Sequence, residues 1–398
     1  MPTMFFNRQF FLFSVAVATA LSAWASGFGL YEASAKSHAL NGAALGHAVD
    51  GSANFINPAT LTDFTNIVVT AGFVTQHPRA RMKVDGHKST TMDAGAFLLP
   101  DFHLAVPLPW EFAFGLGLMP EYGLGSEYTK SWALAPNSHD TTVESLTLNP
   151  NLACRLTDKW SVGGGLRFLF FDFEQHSYPM KGVRQRLQGD NDMEDFGWQV
   201  GTSYELFENF AVGLVYKSET EVNVVGTSRM TMPSATNGRA ATELDLPQSL
   251  TLGFNWDVVE NWHLGTSVAW TDWSSVGTLD FHLNTVHKPV KLQWDDTYRI
   301  VLAPSWDFTK DWTWMWSYGY ETDCCGRQDS TMLPPSERHM LATGLAWHVT
   351  ANLELAFSYG LILMEGHTSR CTVNDVGHHY TAHAALSHAV GFSVSYAF

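Results

Sequence analysis

The segment AVGFSVSYAF (389–398) alternates without a break. Val390, Phe392, Val394, Tyr396 and Phe398 fall on one face, and Ala389, Gly391, Ser393, Ser395 and Ala397 on the other. Successive side chains of a strand point to opposite faces, so this period of two sets a bulky apolar face against a small or polar one. The register recurs upstream. Trp160, Val162, Leu166, Phe168 and Phe170 oppose Ser161, Gly163, Gly165 and Arg167, and Trp312, Trp314, Trp316, Tyr318 and Tyr320 oppose Thr313, Ser317 and Gly319. An amphipathic helix would repeat at 3.6 residues instead. Bulky groups outside and small or polar groups inside mark transmembrane β-strands.

The joints between strands carry an independent signal. Tiny polar turns, each followed at once by a bulky apolar residue, occur at TDKW (157–160), FENF (207–210), VENW (259–262), TKDW (309–312) and TANL (350–353). Long polar loops lie between those pairs, at 78–94, 123–142, 175–194, 226–244, 284–296, 324–337 and 365–385. Short turns at one end and long loops at the other are the pattern of an outer-membrane barrel, with aromatic residues at the membrane–water interface. The joints predict an all-β, antiparallel transmembrane barrel of about fourteen strands, an even number as such barrels require. Aromatic residues make up 13% of the chain, with 15 Trp and 26 Phe, while charged residues are only 16%, a balance suited to a lipid-facing wall. The net charge of -16 argues against a nucleic-acid partner.

Residues 1–25 read as a cleaved signal peptide: Arg8, the apolar run FFLFSVAVATALSAWA, and a small-x-small site at Ala23-Trp24-Ala25. Residues 26–63 find no strand partner and read as a plug, or hatch, inside the lumen; residues 64–398 form the barrel. The plug's last stretch, DGSANFINPATL (50–61), is too poor in apolar residues to form a core alone.

These residues resemble the FadL family of outer-membrane transporters for long-chain fatty acids and related hydrophobic molecules. The likeness rests on SGFGLYEASAKSHALNGAALGHAVDGSANFINPATL (26–61), YGLGSEY (122–128), NPNLACRLTDKWSVGGGL (149–166), LPQSLTLGFNW (246–256), VAWTDWSSV (268–276) and DDTYRIVLAPSW (295–306). It implies a fourteen-stranded barrel, an N-terminal hatch, no chemistry and no cofactor. It also implies capture at the cell surface, transfer to an interior pocket, hatch movement and sideways release through a kinked third strand. Phe28 matches the hatch-start phenylalanine, and Asn57, Pro58 and Ala59 match the hatch motif. The third strand is placed at about Phe112–Gly123, with Gly115, Gly117 and Pro120 as kink-formers. The sequence departs from the family where Asp323-Cys324-Cys325-Gly326 replaces a proline-containing stretch.

A fatty-acid site needs apolar walls and a cation for the carboxylate. By strand parity Arg155, Arg167 and Arg299 point into the lumen, and Lys288 and Lys291 lie at the mouth. Arg167, Arg299 and Lys291, with Phe28, are the expected ligand-binding residues. The alternative is that the arginines pair with luminal acids such as Glu205 and Glu354. Met180, Leu187, Met193, Met230 and Met232 supply flexible apolar loop surface. Cys324 or Cys325 is within reach of a disulfide with Cys371 if their loops are neighbours, and Cys154 faces lipid. His378, His379 and His383 cluster in the last loop without a fixed ligand framework, so no metal site is assigned. No Gly-x-Ser-x-Gly signature of a hydrolase occurs.

The function expected is passive uptake of long-chain fatty acids. The alternatives are uptake of aromatic or alkane hydrocarbons, and a surface adhesin-type barrel. The expected setting is the Gram-negative outer membrane, as a monomer among lipid and lipopolysaccharide, inserted by the barrel-assembly machinery through the strand ending at Phe398.

Overall fold

A computed structural model gives the fold. It describes residues 27–398 apart from 94, 130, 192–194, 325–330, 332–336 and 374–375. The signal segment (1–25), Met193 and Cys325 therefore lie outside the described residues.

Fourteen strands build the wall: β1 (Val68–Val84), β2 (Phe97–Leu108), β3 (Phe112–Met119, resuming at Gly123–Glu127), β4 (Asp140–Thr157), β5 (Trp160–Met180), β6 (Phe196–Phe207) and β7 (Phe210–Lys217), followed by β8 (Ser249–Val259), β9 (Trp262–Thr271), β10 (Thr297–Thr309), β11 (Trp312–Glu321), β12 (Arg338–His348), β13 (Leu353–Met364) and β14 (Val376–Ala397). Each pairs antiparallel with its neighbours in the chain. β14 pairs with β1 from Val68↔Ala397 to Val84↔Tyr380, which closes the barrel.

The alternation read from the sequence is the inside–outside pattern of this wall. On β14, Val390 and Tyr396 are 52% and 42% exposed, whereas Ala389 and Ser393 are buried. At the short-turn end the aromatics form a belt, with the Trp262 and Trp306 rings stacked at 5.4 Å and Trp312 and Trp347 at 5.3 Å.

The other end differs from expectation. Much of what reads as polar loop is strand. Val183–Asn191 folds back on β5, Thr220–Met230 pairs with Gly238–Leu246, Thr278–Leu283 with Val286–Lys291, and His367–Val373 with β14. The period of two continues there, for Val222 and Val224 are buried while Glu221 and Asn223 are exposed. Charged outer positions mask the pattern, because these strands stand above the lipid and face water.

Residues 27–63 fill the lumen. They form two short helices, α1 (Ala35–Ala39) and α2 (Ala53–Ile56), and a 3₁₀ turn at Pro58–Asp63. Ser34 caps α1, its Oγ accepting from Ser37 N at 3.0 Å and donating to Asp50 Oδ2 at 2.7 Å. The segment has too little apolar surface for a core of its own, so the wall satisfies its polar groups. Ser317 Oγ donates to Ala39 O and Ser203 Oγ to Gly46 O, each at 2.7 Å. Asn54 Nδ2 donates to Leu104 O at 3.1 Å, and Arg155 Nη2 lies 3.1 Å from Asp63 Oδ1.

Candidate functional site: a break in the third strand

The ladder between β2 and β3 starts at Leu108↔Phe112 and stops at Phe102↔Leu118. Carried two residues further, that register sets Pro100 against Pro120. Neither has an N–H to donate, so the ladder ends there. β3 then leaves the wall through Pro120, Glu121 and Tyr122, and resumes at Gly123 paired with β4 alone among the fourteen wall strands. Met119 faces Thr147 and Gly123 faces Glu144, so β3 carries one extra residue, a bulge. Ser145 Oγ holds the bulge, accepting from Tyr122 N at 2.8 Å and donating to Tyr122 O at 2.9 Å.

On the side that β2 has abandoned, the start of the N-terminal segment takes its place. Gly123 N donates to Phe28 O and Leu30 N donates to Glu121 O, both at 2.9 Å. Higher up, the Phe97 ring of β2 occupies the space where a Cβ on Gly125 would stand. Side chains and the N-terminal segment therefore cover a stretch of wall that lacks backbone pairing between strands. Gly115 and Gly117 do not make this break, contrary to expectation. They form ordinary rungs with Ala105 and His103, and the missing side chain of Gly115 makes room for Asn54.

Behind the gap lies a cavity of about 700 Å3. Phe28 and Leu30 line it from inside, Phe97, Leu98, Pro100, Pro120, Tyr122 and Leu124 from the two parted strands, and Ile362 and Met364 from β13. Glu144 and Arg338 are its charged lining residues among those described, and Arg338 Nη2 donates to Gly27 O at 2.9 Å. Phe28 is held edge-on by three aromatic rings, Trp273 at 5.2 Å, Tyr122 at 5.8 Å and Trp294 at 6.1 Å.

Arg167 is buried beside the break. Its Nη2 lies 2.9 Å from Glu121 Oε1, its Nε donates to Glu121 Oε2 at 3.1 Å, and its Nη1 donates to Ser218 O at 3.1 Å. Lys217 Nζ stands 3.5 Å from the same carboxylate and 3.0 Å above the Phe55 ring. Two cations thus share one carboxylate, and that carboxylate sits on the bulge. A small cavity of about 50 Å3 touches all three, and Gly29, Leu30 and Tyr122 line both cavities. Breaking a buried pair costs about 3–5 kcal/mol, and Lys217 remains to face Glu121, so Arg167→Ala is expected to cost about 3 kcal/mol. The unfolding temperature in detergent measures this; an unchanged value would show that the pair does not hold the bulge.

The other expected ligand-binding cations lie elsewhere. Arg299 Nη1 donates to Asn41 O at 3.1 Å and its guanidinium covers the Tyr31 ring at 3.7 Å, so it ties the N-terminal segment to β10 and lines neither cavity. Lys291 is exposed at the end of its hairpin, outside both linings. Glu354 pairs with Lys36 at 3.0 Å rather than with an arginine. In α1, burial holds His38 neutral, its pKa pushed down to about 4, with Nδ1 2.9 Å from Ser358 Oγ. The bridge between Cys324 and Cys371 is not made among the described residues. Cys324 packs in the apolar cluster of Phe28 and Trp273, and Cys371 in a separate one around Tyr128 and Trp132. Pro100, Glu121, Ser145 and Arg338 were not singled out from the sequence.

A closed, lipid-facing barrel with its lumen filled by its own N-terminal segment is the architecture of an outer-membrane transport protein. The chain belongs to the outer membrane protein transport protein family (OMPP1/FadL/TodX), whose model matches residues 15–398. It is 26% identical to a long-chain fatty acid transport protein of Escherichia coli O6:H1 over 87% of this chain and 90% of that one. The fold matches a Pseudomonas aeruginosa FadL homologue at a TM-score of 0.82, with 16% identity over 95% and 100% of the two chains. It matches the Ralstonia pickettii toluene transporter TbuX at 0.73, with 16% identity over 94% and 98%. The protein resides in the outer membrane of a Gram-negative bacterium, as its relatives do.

Proposed function

We propose that this chain takes up long-chain fatty acids from the cell surface and releases them sideways into the outer membrane through the gap between β2 and β3. The observation that carries this reading is the pairing of Phe28 O with Gly123 N and of Leu30 N with Glu121 O. The hatch start is part of the wall where the β2–β3 ladder stops. Drawing residues 28–30 away removes the inner cover of the gap and joins the two cavities that Gly29 and Leu30 separate. Asn57, Pro58 and Ala59 anchor the far end of the hatch and set how readily it moves. No chemistry on the ligand enters this route, and Phe398, at the exposed end of β14, is where the barrel-assembly machinery engages.

A cavity of about 700 Å3 accepts a single extended hydrocarbon chain. Arg338, the cation in the cavity lining, is the residue proposed to meet its carboxylate. A charge-assisted bond is worth about 1.5–3 kcal/mol, so Arg338→Gln is expected to weaken oleate binding roughly tenfold to a hundredfold. Methyl oleate, which has no charge, should bind the two proteins alike. Equal losses for both ligands would remove Arg338 from the headgroup role. The edge-on aromatic cage around Phe28 favours a second reading, uptake of monoaromatic hydrocarbons. Toluene transport without oleate binding would establish that one instead.

A further inference from the structure

We propose that the hairpin between β9 and β10 carries a surface site for a divalent transition-metal ion of the zinc, nickel or copper class, held by Asp280, His282 and His287. The hairpin pairs Thr278–Leu283 with Val286–Lys291 around Asn284-Thr285, where Asn284 takes a φ of 53°. Its register sets His282 directly opposite His287 and Asp280 opposite Pro289. Asp280 and His282 are two residues apart on one strand and therefore share a face, and the cross-strand partner of His282 shares it too.

The side chains converge as the register requires. The two imidazole rings are 4.7 Å apart at their centroids. His287 Nε2 meets Asp280 Oδ1, His282 Nε2 lies 3.9 Å from Asp280 Oδ2, and one donor atom from each residue falls within 4.8 Å of the others. Ligand bonds of about 2.0–2.2 Å put two donors on one tetrahedral ion roughly 3.4 Å apart, so small side-chain rotations close the set. Two imidazole nitrogens and one carboxylate suit a borderline transition metal rather than calcium or magnesium, which prefer oxygen alone. The outward position leaves the remaining coordination places to water. Lys291, opposite Thr278, is the nearest cation of the hairpin on the same face and lies beyond Asp280 from the two histidines, while Lys288, next to His287, pairs with Phe281 on the other face.

The opposite face of the hairpin buries Leu279, Phe281 and Leu283 in the apolar cluster that contains Phe28. An ion bridging the outer face ties the two strands together and stiffens that side of the cluster without touching the cavity. A second convergent group, Glu337, His339 and Glu365, is less available. Tyr320 donates to Glu337 at 2.9 Å, and Tyr318 Oη lies 2.8 Å from His339 Nδ1.

The test uses the whole protein in detergent, without a histidine tag. Zinc titration by calorimetry and copper(II) titration by electron paramagnetic resonance are each run on wild type, His282→Gln, His287→Gln and Asp280→Asn. The expected result is one site whose copper spectrum shows two nitrogen ligands, falling to one in either histidine variant. Zinc affinity is expected to fall at least about tenfold in each variant. Because the three residues are exposed or half-exposed on a hairpin, the variants should keep the heat-modifiable mobility of the folded barrel. The proposal is overturned if wild type binds no zinc at micromolar concentrations, or if the His282→Gln/His287→Gln double variant binds it like wild type. It is equally overturned if replacing His378, His379 and His383 removes the two-nitrogen signal.

Discussion

Replacing Pro100 and Pro120 together with threonine is expected to close the wall and slow uptake. Threonine restores an N–H at each of the two positions where the β2–β3 ladder fails, and it suits a strand. Each backbone bond regained is worth about 1 kcal/mol net, more where water is absent. Two of them make the parted wall roughly thirtyfold rarer. Initial rates of labelled oleate uptake, in cells that have no other route for it, read the effect. Heat-modifiable mobility confirms that the barrel has assembled. Wild-type uptake by a correctly assembled double variant would place release somewhere else. Phe97→Ala acts in the opposite direction, because it uncovers Gly125 while leaving the backbone unpaired.

The second large effect belongs to Asn57. Its side chain is wholly buried, and its Nδ2 donates to Leu45 O at 2.6 Å and to Thr202 O on β6 at 3.1 Å. Its Oδ1 accepts from Ala59 N at 3.1 Å, which caps the Pro58–Asp63 turn. One side chain therefore closes the turn, ties it to the rest of the hatch and fastens both to the wall. Losing a cap costs about 0.5–2 kcal/mol and stranding a buried partner about 1–3 kcal/mol. Asn57→Ala is thus expected to loosen the hatch by roughly 3 kcal/mol while leaving the strand ladders intact. The readout is raised conductance in planar bilayers together with unchanged barrel mobility. A variant that fails to assemble would reduce the motif to a folding element. Pro58→Ala should act in the same direction but more weakly, since proline at the first helical position chiefly pre-sets the backbone.

The barrel was legible because lipid on one side and a polar filling on the other impose opposite demands on alternate residues. Val390 and Ala389 answer those demands in plain view. The strands that rise above the lipid were not legible as strands, since water on their outer face permits Glu221 and Asn223 where a membrane would not. Of the three expected kink-formers, Pro120 is the one that stands just past the last rung of the ladder. Gly115 and Gly117 lack a side chain but keep the N–H a ladder needs, whereas Pro120 and, opposite it, Pro100 have none; Pro107 sits in the rung to Ala113 and leaves the ladder intact. Pro100 and Pro120 stand symmetrically about the Trp110 turn in the sequence, which is the signal that could have found the pair. Arg167 was correctly placed as luminal by parity, but its partner was beyond reach of the sequence. Glu121 continues the inward parity of Gly117 and Met119, but parity does not say which inward residues of different strands meet.

The closing seam of the barrel joins β1 to β14 along nearly their whole length, from Val68 to Val84. The β2–β3 ladder is zipped only from its turn as far as Phe102 and Leu118. The opening proposed above is therefore internal to the chain, away from the junction of the two termini. Strands on both sides of it remain anchored to other neighbours and to each other at the turn, so the proposed route asks the wall to hinge as a flap. On that route the wall would part and reseal without any strand having to find its partner again.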